Sequence, residues 1–207
     1  MQYRFITIEG NIGSGKTTLA HQLAELFRAR LVLEEFADNP FLPKFYADPA
    51  QYAFPLELFF MAERYKQLKD MHAGPDLFTS HTVSDYLFIK SLLFAKMNLE
   101  ADEFSLYQKL FDIINPQLPQ PDLLIFLNAP VEQLQRNIRK RGRPYEQQIK
   151  DSYLERVQEM YIQFIRQYPM CTLMVDTTKF DFLRNPADLQ SLLDALDKDY
   201  APGVHYL

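Results

Sequence analysis

Residues Gly10-Asn11-Ile12-Gly13-Ser14-Gly15-Lys16-Thr17-Thr18 fit the spacing G-x-x-x-x-G-K-[ST], and the flanks on both sides restrict the fold further. Before the loop, Tyr3-Arg4-Phe5-Ile6-Thr7-Ile8-Glu9 reads as a short, mostly apolar buried strand. After it, Leu19, Leu23, Leu26 and Phe27 recur at helical spacing. A strand, a glycine loop and a helix in this order place backbone N–H groups and a helix N-terminus around an anion. Lys16 supplies a point charge for the β/γ-phosphates, and the Thr17 hydroxyl can hold Mg²⁺. The expectation is a nucleoside-triphosphate site.

The rest of the chain alternates strands and helices without repeat or linker. Strands are expected at Leu31-Val32-Leu33, Thr82-Val83-Ser84, Asp122 to Leu127 and Cys171 to Val175. Turns are expected at Asp38-Asn39-Pro40 and Asp48-Pro49, and Gly74-Pro75 should break a long helix over about 51–69. Further helices are expected near 86–99, 102–115, from Pro130, over 149–167 and from Pro186. Five short apolar strands among helices predict an α/β P-loop kinase fold: a five-stranded parallel sheet flanked by helices. At 207 residues, one domain over 1–207 suffices. Ligands of such sheets bind beyond the carboxyl ends of the strands. Glu34, Asp85, Asn128 and Asp176 fall there, on one rim with the loop.

A net charge of −5 argues against a nucleic-acid surface and for a small substrate. The single cysteine, Cys171, sits in an apolar stretch and is expected to be a buried strand residue; no disulfide can form within the chain, which suits a reducing cytoplasm. With the first strand so near the start no signal peptide is expected, and no apolar run reaches membrane-spanning length. The four histidines show no ligand spacing, so no structural zinc is expected.

Positive charge concentrates in Arg136-Asn137-Ile138-Arg139-Lys140-Arg141-Gly142-Arg143, at a helix C-terminus where cations are favoured. Beside a phosphate loop such a cluster suits an arginine-rich flap, with Gly142 as its bend. Alone it is a solvated helix end.

Several ordered blocks, taken together, resemble the deoxynucleoside kinases, in particular the bacterial deoxyadenosine/deoxyguanosine kinases. They are Ile8 to Thr18, Glu34 with Asp38-Asn39-Pro40-Phe41-Leu42, Phe45 to Pro49 with Tyr52-Ala53-Phe54, and Arg139 to Glu146. The resemblance runs from about residue 3 to residue 180. It implies ATP and Mg²⁺, a deoxynucleoside acceptor, a homodimer and a lid over about 139–148. Glu34 matches the glutamate that faces the 5′-hydroxyl as general base. Tyr46 and Glu146 match the pair that grips the 3′-hydroxyl. Arg141 and Arg143 match lid arginines that neutralise charge on the transferred group.

Two departures from the family stand out. Its base-reading glutamine is Glu57 here. A carboxylate only accepts, which fits guanine's two adjacent donors better than the adenine edge; alternatively Glu57 pairs with Arg64. The acid-Arg-Ser triplet of the family reads Asp85-Tyr86-Leu87. Asp85 keeps the acid, to order Mg²⁺ through water or serve as a base. The arginine is absent, and Lys90, one helical turn on, is the candidate to restore its charge. Thr177 to Arg184 are expected to wall the donor base, and Phe94 to stack on the acceptor base or fill the core. The rivals are a nucleoside monophosphate kinase, whose acceptor phosphate Glu34, Glu35 and Asp85 would repel, and a catalytically silent nucleotide-binding module.

Overall fold

In the computed structural model, residues 2–34, 39–72, 80–182 and 184–207 are described. Glu35, Asp38, the Gly74-Pro75 break, Leu183 and the His72 side chain lie outside the described residues. The central strand β1 (Phe5–Gly10) is buried along its whole length. It pairs in parallel with β3 (Thr82–Ser84) on one side and β4 (Leu123–Asn128) on the other. Beyond them lie β2 (Arg30–Val32), β5 (Cys171–Asp176) and β6 (Gly203–Tyr206), every pairing parallel, in the order β2-β3-β1-β4-β5-β6. The sheet therefore has six strands, not the expected five. The tail from Tyr200 supplies the sixth, whose short polar run, with Val204 its one β-branched residue, gives no apolar strand signal.

The period of two along each strand sorts side chains to two cores. Phe5, Leu124 and Phe126 face α3 (Pro49–His72), α4 (Lys90–Asn98), α5 (Ala101–Ile114) and α7 (Asp151–Gln167). Ile6, Ile8, Leu123 and Ile125 face α1 (Lys16–Phe27) and α8 (Pro186–Leu196). The helix α4 starts at Lys90 rather than near 86, because residues 86–89 form the turn that leaves β3. Between the two expected turns the chain makes a short helix, α2 (Leu42–Ala47), which sequence reading missed. Its start is held by Asn39 Oδ1, which accepts the N–H groups of Phe41 and Leu42 at 2.9 and 3.2 Å. Cys171 is half-buried at the start of β5, less covered than expected. Among the described residues no helix is long and apolar enough to cross a membrane.

Candidate functional site

The loop after β1 needs its glycines. A Cβ on Gly10 would stand 2.7 Å from the Leu127 carbonyl oxygen, and one on Gly13 2.9 Å from the Leu134 carbonyl oxygen. Both residues also have positive φ, at +153° and +82°. From behind, Asn11 Nδ2 donates to the Leu154 carbonyl at 2.7 Å and Asn137 Nδ2 to the Gly13 carbonyl at 2.8 Å. α1 then starts at Lys16 with no side-chain cap, leaving its first N–H groups for an anion. Lys16 Nζ donates to the Gly10 and Asn11 carbonyls at 2.9 and 3.0 Å. Burial, helped by the charge of Lys90, lowers its pKa to about 8 against the pull of Glu9, Glu34 and Asp85.

Two depressions flank this loop. The outer groove, about 800 Å³, is lined by Ser14, Gly15, Thr18, Arg136, Lys140 and the segment from Thr177 to Phe182 with Arg184. Phe180 and Phe182 stack there with ring centroids 6.0 Å apart. An inner cavity on the other side is lined by Ile12, Lys16, Thr17, Glu34, Tyr46, Glu57, Asp85, Lys90, Phe94, Arg141, Arg143 and Glu146. The structure thus brings the expected site residues together in two groups with the loop between them. Asn128 and Asp176 sit on the same rim but outside the inner cavity: Asn128 accepts from Gln158 and the Thr177 N–H, and Asp176 from Thr178.

At one end of the inner cavity Glu34 is held from two sides. Arg64 Nε and Nη2 donate to Oε1 at 2.9 and 2.5 Å, and Lys90 Nζ donates to Oε2 at 2.8 Å. Burial alone would raise the Glu34 pKa, but the charges of Lys90 and Arg64 outweigh it and hold the carboxyl well below the usual carboxylate range. In return Glu34 raises the pKa values of both cations despite their burial. Asp85 ties this end to the loop, accepting from Thr17 Oγ1 at 2.5 Å and from the Glu34 N–H at 2.7 Å.

Sequence reading missed Arg64 as a site residue and weighed it only as a partner of Glu57; it pairs with Glu34 instead. The signal was present. Met61, Arg64 and Leu68 share one helical face of α3, and all three are buried. The pair also changes the expected electrostatics. Two cations offset Glu34, so acidic repulsion at this end does not by itself turn away an acceptor phosphate.

Glu57, two helical turns before Arg64 on α3, is 2% exposed and lies deeper in the cavity. Its Oε1 accepts from Asn98 Nδ2 at 2.8 Å, a partner that sequence reading also missed. Burial raises its pKa to about 7, against the lowering pull of Asn98 and Arg64. Phe94 lines the cavity, with Lys90 Nζ 5.8 Å from its ring centre and the Tyr161 ring edge-on. At the mouth, α6 (Val131–Arg141) ends on Gly142 at φ +73°. Arg141 and Arg143 then turn onto Glu146, which accepts at 2.5 Å from the former and 3.1 Å from the latter. Tyr46 stacks on Tyr145, with ring centroids 6.1 Å apart and planes at 17°.

This arrangement can hold a triphosphate over the loop, with the large groove on one side and a smaller cavity of about 120 Å³, carrying the Arg141 and Arg143 pair, on the other. Comparison with known proteins agrees. A family model described as "Deoxynucleoside kinase" matches residues 6–200. The deoxyguanosine kinase of Bacillus subtilis (strain 168) is 37% identical over 193 residues, covering 91% of this chain and 93% of that protein. The deoxyadenosine/deoxycytidine kinase of the same organism is 30% identical over 200 residues, covering 92% and 90%. Among solved structures, deoxyadenosine kinase from M. mycoides with bound dATP superposes with a TM-score of 0.80 at 21% identity, covering 94% of this chain and 100% of that one.

Proposed function

This chain belongs to the deoxynucleoside kinase family and is an ATP-dependent deoxynucleoside kinase, and from that premise we propose that it moves the γ-phosphate of ATP to the 5′-hydroxyl of a purine deoxynucleoside in nucleotide salvage. The observation that carries the reading is Glu34, fixed by Arg64, Lys90 and Asp85 in the cavity that Lys16 and Thr17 also line. ATP lies along the loop, its phosphates on the α1 N-terminus and its base in the outer groove beside Phe180 and Phe182. The nucleoside fills the inner cavity.

Glu34 accepts the 5′ O–H hydrogen bond and aims the oxygen at the γ-phosphorus. A carboxylate held so far below its usual range is a weak base, so it orients more than it deprotonates. That suffices for a loose phosphoryl-transfer transition state, in which the attacking oxygen carries little new bond. Lys90 stands where the family arginine is absent and puts positive charge beside the attacking oxygen. Tyr46 and Glu146 take the 3′-hydroxyl. A nucleoside hydroxyl on Glu146 competes with Arg141 and Arg143 for the same oxygens, which frees those arginines for the phosphates.

Mg²⁺ is part of the proposal. It takes few protein ligands when it arrives with a nucleotide, and Thr17 with Asp85 fits that pattern; among the described residues no cluster of three or more His, Cys, Asp or Glu forms. Bound with ATP, the ion supplies charge neutralisation on the β- and γ-phosphate oxygens. Glu57 reads the base. Purine preference draws on relatives named as deoxyguanosine and deoxyadenosine kinases. The proposal also keeps a single domain, a cytoplasmic setting and a homodimer, the last supported by Leu106, Leu110 and Ile113, an exposed apolar stripe on α5 that a second copy would cover.

The test is the position of the new phosphate. Phosphorus–proton coupling should place it on O5′, and Glu34→Gln should lower turnover at least tenfold with ATP affinity unchanged. A product phosphorylated elsewhere, or full turnover without the carboxylate, contradicts the proposal.

A further inference from the structure

Strand β1 is buried from end to end, yet its fifth residue is a glutamate. Glu9 is 1% exposed. An ionised carboxylate in such a place is costly unless donors surround it, and three do. Oε1 accepts the Leu87 N–H at 2.9 Å, and Oε2 accepts the Tyr161 O–H at 2.9 Å and the Gly10 N–H at 3.2 Å. Two of those donors, Leu87 and Tyr161, come from segments far along the chain, and the third is the next residue. Gly10 opens the phosphate loop. Leu87 lies in the turn between Asp85 and α4, and its own carbonyl accepts the Lys90 N–H at 3.0 Å. Tyr161, on α7, lines the inner cavity and packs edge-on against Phe94 and tilted against Phe126. The Glu9 charge also favours the protonated forms of Lys16 and Lys90, one on each side of the site.

We propose that Glu9 is a positioning residue that sets the separation of the donor and acceptor halves of the site. It ties the start of the phosphate loop to the turn carrying Asp85, Leu87 and Lys90, and to the tyrosine behind the inner cavity. Phosphoryl transfer in this fold depends on alignment and electrostatic stabilisation, and a misplacement of about 1 Å can lower a rate by about two orders of magnitude. All three contacts ask for an acceptor. Glutamine, of the same shape, has one acceptor oxygen and an amide that must face at least one of these donors. The change therefore shifts the turn against the loop without touching ATP or nucleoside.

This inference rests on the kinase reading, and the wild-type enzyme tests that reading separately: if it phosphorylates no deoxynucleoside, the reading fails before Glu9 is at issue. With an active wild type, steady-state kinetics on Glu9→Gln and Tyr161→Phe test the inference. Glu9→Gln should lower kcat at least tenfold, with KM for ATP and for the nucleoside each within about threefold. Its nucleoside-independent ATP hydrolysis should fall less than its nucleoside phosphorylation, because water needs no fixed acceptor geometry. Tyr161→Phe removes one donor and leaves the ring, and should lower kcat several-fold with the same flat KM values. If Glu9→Gln does not fold, Tyr161→Phe decides alone. Wild-type kcat in a folded variant, or a loss carried wholly by one KM, overturns the inference.

Discussion

Arg64 donates two hydrogen bonds, at 2.9 and 2.5 Å, to a single oxygen of Glu34, although one stands on a long helix and the other beyond the end of β2. Arg64 is 3% exposed, and its guanidinium also donates to Ser91 Oγ at 2.7 Å. Breaking a buried ion pair leaves the partner charge uncompensated. Arg64→Met should therefore destabilise the protein by about 3 kcal/mol, with Lys90 limiting the damage, and should lower turnover at least tenfold. Thermal melts and initial rates on the same preparation check both.

Lys90 carries the second contact to Glu34. Lys90→Ala should reduce turnover by at least two orders of magnitude. Lys96→Ala, an exposed control on the same helix, should leave it within twofold. Equal losses in the two variants would remove Lys90 from the site.

If Glu57 reads the base as proposed, base choice should depend on pH. With a pKa raised to about 7 by burial, it is ionised above that value and offers two acceptors to guanine N1–H and the 2-amino group. Below it the neutral acid donates one bond and accepts one, which suits adenine. The groups facing it are Asn98 and Lys90 on α4, Arg64 on its own helix, Glu34, Tyr107 on α5 and Tyr153 on α7. The ratio of kcat/KM for deoxyguanosine over deoxyadenosine should rise as pH climbs from 6 to 8 and stay flat in Glu57→Gln. The same ionisation opposes folding. A carboxyl whose folded pKa is raised loses relative stability as pH rises from about 4.5 to about 7.

On the proposed function, Arg141 and Arg143 act late, on the transferred phosphate. Arg141 is paired with Glu146 here, so Arg141→Ala should lower kcat while leaving the dissociation constant of ATP within about twofold. Titration calorimetry with ATP beside single-turnover rates separates the two effects; normal turnover would refute the assignment.

The central strands and the phosphate loop were legible because their signals are local: an apolar run, four glycine or lysine positions at fixed spacing, a helix-period stripe. Glu34, Tyr46 and Glu146 were legible from ordered blocks, and Lys90 from its spacing after Asp85; all four fall in one cavity. What escaped depends on contacts between distant segments. Arg64 shows in the sequence as a charge on an apolar helix face, but its partner lies thirty residues earlier in the chain. Asn98 meets Glu57 only because α4 packs on α3. Strand β6 is too short and polar to announce itself, and pairs because β5 offers it an edge.

The most direct test of the account is ATP-dependent phosphorylation of deoxyadenosine, deoxyguanosine, deoxycytidine and thymidine, with dAMP and dTMP as further acceptors. The account predicts turnover of the purine deoxynucleosides with little or none of the monophosphates. Turnover of the monophosphates alone would mean that the cations beside Glu34 hold an acceptor phosphate, and would contradict it.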